Sequence, residues 1–169
     1  MKVVIQDGAK DCGAACLLSI IRYYKGDISI EKLREMTSTT KDGVTALSLI
    51  NVAKELGFDS YGLKGEIDDI DKSMLPLIAH TNNNKIKHFI VIYEMIEEKD
   101  KIIIMNPECG RQVISYSELS LMSTHYFIYL KPISKIPIYK YNKVINKNIK
   151  SFIKTNKELI IIITLLTII

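Results

Sequence analysis

An α+β fold, with N-terminal helices packed on a mainly antiparallel sheet, is predicted by three features of the chain. Apolar residues recur with helical spacing up to about residue 56. Beyond it, short β-branched and aromatic runs alternate with Asn, Asp, Gly and Pro clusters, and helices followed by strands are the signature of α+β rather than of alternating parallel units. The third is composition. With 169 residues, 47% hydrophobic and 25% charged, and only eight Gly and four Pro, the chain has the make-up of a globular domain and lacks that of a disordered or fibrous one.

The first helix is expected from Cys12 to Tyr24, where Cys-Gly-Ala-Ala-Cys-Leu-Leu-Ser-Ile-Ile-Arg-Tyr-Tyr is apolar nearly all round, as in a buried helix. Lys25-Gly26 ends it. Ser29 caps a short helix through Met36, and Thr45 caps another from Ala46 to Leu56 that stops at Gly57, with Leu49, Ile50, Ala53 and Leu56 facing inward. Strands follow at 58–63, 75–79, 88–93, 101–105, 112–115 and 126–130.

Charge divides the chain. Residues 1–131 carry 16 Lys and Arg against 18 Asp and Glu, whereas residues 132–169 carry seven Lys against Glu158 alone. A slightly acidic body excludes a nucleic-acid-binding domain, whose positive charge belongs on its folded face. Residues 132–158 read as a basic linker, and 159–169 as eleven uncharged residues, too few for a span of ~20 but suited to the start of a truncated transmembrane helix. The lysines before it would orient that side to the cytoplasm. Met1 to Ile5 run straight into Gln6 and Asp7 without the apolar stretch of a signal peptide, so residues 1–131 are expected at the cytoplasmic face of the membrane.

Three cysteines, odd in number and without paired Cys-x-x-Cys spacing, make neither a disulfide scaffold nor a metal site; no cofactor is implied. Cys12, at the start of the buried helix, would receive unpaired amides and the positive end of the helix dipole, both of which favour a thiolate. A small buried core residue is the bland alternative for Cys12, and Cys16, one turn further in among Leu and Ile, is read as core. Gln6, on an extended approach to the helix, is placed to donate its amide to an oxyanion. A thiol nucleophile needs a base and a residue to orient it. His88 opens an apolar strand and Asn106-Pro107 follows the next, so antiparallel pairing would join them; His80 and His125 are the other imidazoles. Cys, His, Asn in that chain order is the arrangement of a papain-like thiol protease.

Taken together, Gln6, Asp11-Cys-Gly-Ala-Ala-Cys-Leu17, Leu33-Arg-Glu-Met36, Gly43-Val-Thr45, Ala53-Lys-Glu-Leu-Gly57, Leu75-Pro-Leu-Ile78, His88-Phe-Ile-Val91 and Asn106-Pro107 through Gly110 resemble the bacteriocin-processing, double-glycine leader peptidase domain of peptidase-containing ABC transporters. The resemblance runs from about Ile5 to Lys131. It implies a papain-like cysteine peptidase in which Cys12 is the nucleophile, His88 the general base and acid, and Gln6 the oxyanion-hole side chain. The third position is usually Asp in an Asp-Pro pair; here it is Asn106, which can orient an imidazole but not neutralise it.

The implied substrate is a ribosomal precursor peptide cut after Gly-Gly or Gly-Ala, its leader docked as an amphipathic helix, and the implied partners are transporter membrane and nucleotide-binding domains. No Walker motif occurs in these 169 residues. Two alternatives carry other functions: a peptidase-like module that binds leaders without cutting, which would typically have lost Cys12, and a cysteine-dependent transferase sharing Cys12 and His88.

Overall fold

The computed structural model describes residues 1–41, 43–83, 86–139 and Asn156. In chain order the elements are α1 (Cys12–Tyr23), α2 (Ile30–Met36), α3 (Ala46–Glu55), β1 (Phe58–Lys64), β2 (Leu77–Asn83), β3 (Ile86–Ile96), β4 (Lys101–Asn106), β5 (Gly110–Ile114), α4 (Tyr116–Met122) and β6 (Ser123–Pro132). The strands form one sheet in the order β1-β6-β2-β3-β4-β5, with every neighbouring pair antiparallel.

Local chemistry explains the helix starts. Ser29 Oγ accepts the Lys32 N–H and Thr45 Oγ1 accepts the Ser48 N–H, each satisfying one amide that the first turn leaves open. α1 is buried from Cys12 through Ile21, consistent with its apolar circumference. Gly13 is required by close approach, because a Cβ there would collide with Val44 and crowd Leu49 of α3.

Both faces of the sheet are covered. Along β3, Phe89 and Val91 join Ile78, Met105, Ile128 and Leu130 in a core with α1, α2 and α3. Ile90 and Ile92 point the other way, into a second core with Ile102, Ile104, Phe127 and Leu119 of α4. That two-sided burial is why His88 is followed by a continuous apolar run instead of an alternating one. At ~1.5–3 kcal/mol for each buried large side chain, these two layers supply the main term favouring the fold.

Two expectations are corrected. Residues 112–115 do not form one strand: β5 ends at Ile114, and Ser115 caps α4 in a capping box, its Oγ accepting the Glu118 N–H while Glu118 Oε2 accepts the Ser115 N–H. The expected boundary after Lys131 falls inside β6, and the compact unit runs from Met1 to Tyr139. Beyond β6, Ile136 is buried against the α1 core, the Ile133 N–H donates to Gly57 O, and the Tyr139 N–H donates to Asp27 O. A second unit spans Lys140 to Ile169. Apart from Asn156 it lies outside the described residues, and with it most of the expected basic linker and all of the apolar 159–169 segment. Among the described residues no helix is long and apolar enough to cross a membrane.

Candidate active site

Four elements converge at the start of α1. Cys12 is its first residue and is buried, 8% exposed, at one wall of an open cleft of about 700 Å³. Asp11, at the N-cap, makes no side-chain cap bond. Its carboxylate turns back to accept the Gly8 N–H (2.7 Å) and both arms of the Arg34 guanidinium, with Arg34 Nε at 2.8 Å. The buried charge next to Cys12 is thereby matched. Burial alone would raise the Asp11 pKa, but the Arg34 hydrogen bonds and the Gly8 amide outweigh it and hold the carboxyl below its ordinary value.

β3 brings His88 and β4 brings Asn106 to the same point. The strands are antiparallel neighbours, and His88 Nε2 lies 3.0 Å from Asn106 Oδ1. The amide oxygen can only accept, so Nε2 carries the hydrogen and Nδ1 is the ring nitrogen left for Cys12. Asn106 Oδ1 also accepts the Glu108 N–H at 3.0 Å, and Asn106 Nδ2 donates to Gln112 Oε1 at 3.1 Å.

Opposed effects act on the pair. Burial pushes the Cys12 thiol up; hydrogen bonds to the His88 ring and the Phe89 backbone, with the imidazolium charge and the Gly13 amide, outweigh it, and the thiol lies below its ordinary value. Burial pushes His88 down, and its hydrogen bonds to Cys12 and Asn106, with the charges of Cys12 and Glu108, leave it raised. Each shift favours the charged partner of the other, as in a thiolate–imidazolium pair. Cys16, wholly buried, is pushed well above a normal thiol, and exposed Cys109 is also raised, by partial burial and by Glu108.

The Gln6 backbone N–H donates to Pro107 O at 2.9 Å, which fastens the N-terminal segment to the turn that carries Asn106. The Gln6 side chain is half-buried, and its Oε1 has no protein partner among the described residues. His80 lines the cleft with its Nδ1 at Thr124 Oγ1 (2.7 Å), and His125 Nδ1 stands 3.1 Å from Glu66. The structure thus gathers Cys12, His88 and Asn106 and sets Gln6 against the same turn, while His80 contacts Thr124 in the cleft lining and His125 stands beside Glu66. Two partners of Asn106, Gln112 and the Glu108 amide, were not anticipated. No sequence motif marks Gln112, whose contact with Asn106 depends on the register of β4 and β5.

The cleft wall combines the small residues Gly43, Ala46 and Gly62 with Val44, Phe89 and Phe127, and Lys87 and Tyr126 lie at its rim. Lys10, Thr45 and His80 add polar groups to this mainly apolar wall, so the cleft can take a ligand that carries both kinds of surface.

Comparison with known proteins identifies the family. The Peptidase C39 family pattern matches residues 1–135. The lactococcin-G-processing and transport ATP-binding protein LagD of Lactococcus lactis is 35% identical over 134 residues, 78% of this chain and 19% of that protein. The pediocin PA-1 transport/processing ATP-binding protein PedD of Pediococcus acidilactici is 32% identical over 158 residues, 91% of this chain and 22% of that protein. The chain thus spans about a fifth of the length of these curated relatives. Among solved structures, the peptidase domain of Streptococcus ComA, described as a bi-functional ABC transporter, superposes with a TM-score of 0.70 at 30% identity, covering 78% of this chain and 98% of that one. A double glycine motif protease from an AMS/PCAT transporter, solved with its leader peptide, gives 0.71 at 29% identity over 77% of this chain and 90% of that one. By sequence and fold alike, then, the chain belongs to the Peptidase C39 family and is a cysteine peptidase.

Proposed function

We propose that this peptidase removes double-glycine leaders from ribosomally made precursor peptides, with Cys12 as nucleophile, His88 as base and acid, Asn106 as its orienting partner and Gln6 as an oxyanion donor. The observation that carries the reading is the linked set Cys12, His88 and Asn106, with Cys12 at the wall of the cleft, the thiol held low and the imidazole held high.

The thiolate of Cys12 attacks the carbonyl carbon of the residue before the scissile bond. The oxyanion that forms is met by the Gln6 amide and by amides at the start of α1. His88, holding the thiol proton, passes it to the leaving amine as the C–N bond breaks, which leaves a thioester on Cys12. Water then attacks that thioester. His88 takes a proton from it and returns one to the departing thiolate. Small residues before the cut suit a wall in which Gly43, Ala46 and Gly62 bring backbone close to the substrate. The remaining length of the leader would dock as an amphipathic helix.

The relatives are processing and transport ATP-binding proteins, and we extend that setting to this chain: transporter membrane and nucleotide-binding domains as partners, the peptidase unit at the cytoplasmic face, and residues 159–169 leading into the membrane. Mass spectrometry of a synthetic double-glycine leader–core peptide after incubation tests the activity. Cys12→Ala is expected to abolish cleavage while keeping fold and leader binding, and Gln6→Ala to slow turnover by about 100-fold. Near-normal turnover by Cys12→Ala would overturn the assignment. A thioester passed to an added amine in place of water would make the domain a transferase.

A further inference from the structure

An asparagine in the orienting position raises a question of polarity that an aspartate does not. Its oxygen and its NH2 group occupy nearly equivalent places, yet only one arrangement serves the proposed chemistry. With Oδ1 toward His88, Nε2 keeps its hydrogen and Nδ1 is free to accept the Cys12 proton. With the amide reversed, Nδ2–H would face Nε2, drive the ring hydrogen to Nδ1 and leave no acceptor for the thiol. It would also set donor against donor once the ring is charged.

We propose that Gln112 is a positioning residue that fixes the polarity of the Asn106 amide and, through it, the tautomer of His88. The proposal rests on the site reading above and adds to it a residue on a different strand. The backbone contact rejects the reversed amide outright, and the side-chain contact opposes it for as long as Gln112 keeps its own oxygen toward Asn106. The Glu108 backbone N–H, which can only donate, points at Oδ1 from 3.0 Å. Gln112 Oε1, which can only accept, takes the Nδ2 hydrogen at 3.1 Å.

Strand register makes the second contact possible. β4 and β5 pair Asn106 with Gly110 and Ile104 with Gln112, so Asn106 and Gln112 lie on one face as diagonal neighbours, within reach for a long side chain. Gly110, at φ +88°, supplies the left-handed residue that begins β5. Gln112 is half-buried, so its bond to Asn106 is only partly exposed to competing water.

The chemistry of position 112 should then depend on that of position 106. Beside Asn106, an acceptor is needed, and Gln112→Glu supplies one; Gln112→Leu removes it. Beside an aspartate, polarity is no longer in question, and Gln112→Glu would set one carboxylate against another.

The full chain carrying Gln112→Leu or Gln112→Glu, each with Asn106 or with Asn106→Asp, is assayed for cleavage of a synthetic double-glycine peptide. Alkylation of Cys12 by iodoacetamide is followed against pH in the same four proteins, a readout that needs no peptide. His88 is faced here by Cys12, Asn106 and Glu108. With Asn106, Gln112→Leu is expected to lower kcat about 10–100-fold with little change in KM, the scale on which outer partners of a ligating imidazole act, and to move Cys12 alkylation to higher pH. Gln112→Glu should lose far less. With Asn106→Asp the order should reverse, Gln112→Glu becoming the poorer enzyme. Circular dichroism identifies any variant that fails to fold, and the Glu–Leu comparison stands in whichever background both fold. The same order in both backgrounds, or a flat series, overturns the role of Gln112. The two readings fail separately: an inert Cys12→Ala protein beside a flat Gln112 series leaves the site reading standing.

Discussion

At Cys12 and His88 the two pKa displacements are opposite in sign, and in the proposed mechanism activity follows from the form in which both groups are charged. The rate should rise as pH passes upward through the lowered Cys12 value and fall as it passes through the raised His88 value. The plateau is therefore displaced to lower pH than a free thiol would allow, and a kcat/KM profile measures it. Selective alkylation follows from the same displacements. Iodoacetamide at neutral pH should label Cys12 before Cys109 despite the exposure of Cys109, and Cys16 only on unfolding. Peptide mapping after brief labelling gives the order. Asn106→Ala should cost more rate than Asn106→Asp, because alanine removes the acceptor of the Nε2 hydrogen whereas aspartate keeps it and adds a charge that favours imidazolium. Chain order and residue type raised Cys12, His88 and Asn106 as candidates in the sequence, and the family resemblance supplied their expected roles. Gln112 was not legible, because its importance comes from a strand register and from the choice of an amide at 106, neither of which leaves a mark on residue 112 itself.

Among the elements, α1 is the one whose placement matters most, and its entry is held by Asp11 and Arg34. Asp11 is 6% exposed, so removing Arg34 would strand a buried carboxylate. Arg34→Ala should destabilise the fold by about 2–3 kcal/mol, less than the ~3–5 of a fully buried pair because the Arg34 side chain is 28% exposed. The sign with pH is fixed by the lowered Asp11 value. Its contribution is complete above the unfolded pKa of ~3.9 and is lost as pH falls through the folded one, so wild type and variant should converge in acid urea melts. Gly13→Ala should perturb the same region for a steric reason, costing rate as well as stability, since Val44 and Leu49 must retreat from beside Cys12. The helix starts at Ser29 and Thr45 were readable as caps. α4 was equally signed by Ser115 and Glu118 three residues on, but it follows β5 directly, and Gln112 to Ser115 read as strand.

For the molecule as a whole, the charge step near residue 131 marks a change in composition eight residues before the fold ends. Proline and isoleucine between 132 and 139 carry little charge, so the net-charge count assigned them to the tail, yet Ile136 fills the space that a glycine leaves at position 26. A chain of residues 1–139 should accordingly melt higher than one of 1–131, by an amount reflecting ~1.5–3 kcal/mol for Ile136 alone. Calorimetry of the two, with cleavage as a second readout, tests this; equal melting points would return the boundary to 131.

The order of the sheet sets β5 at one end, bonded among the described residues to β4 alone. It is short and carries Gln112, so the last link in the chain of amides that steadies His88 belongs to a part of the sheet that opens with less free energy than its centre. Amide hydrogens of β5 should exchange with deuterium sooner than those of β3, which is flanked on both sides. Mild urea, well below the global transition, should then slow the enzyme while far-ultraviolet signals stay native, so that catalysis is lost by fraying at an edge before the fold itself gives way.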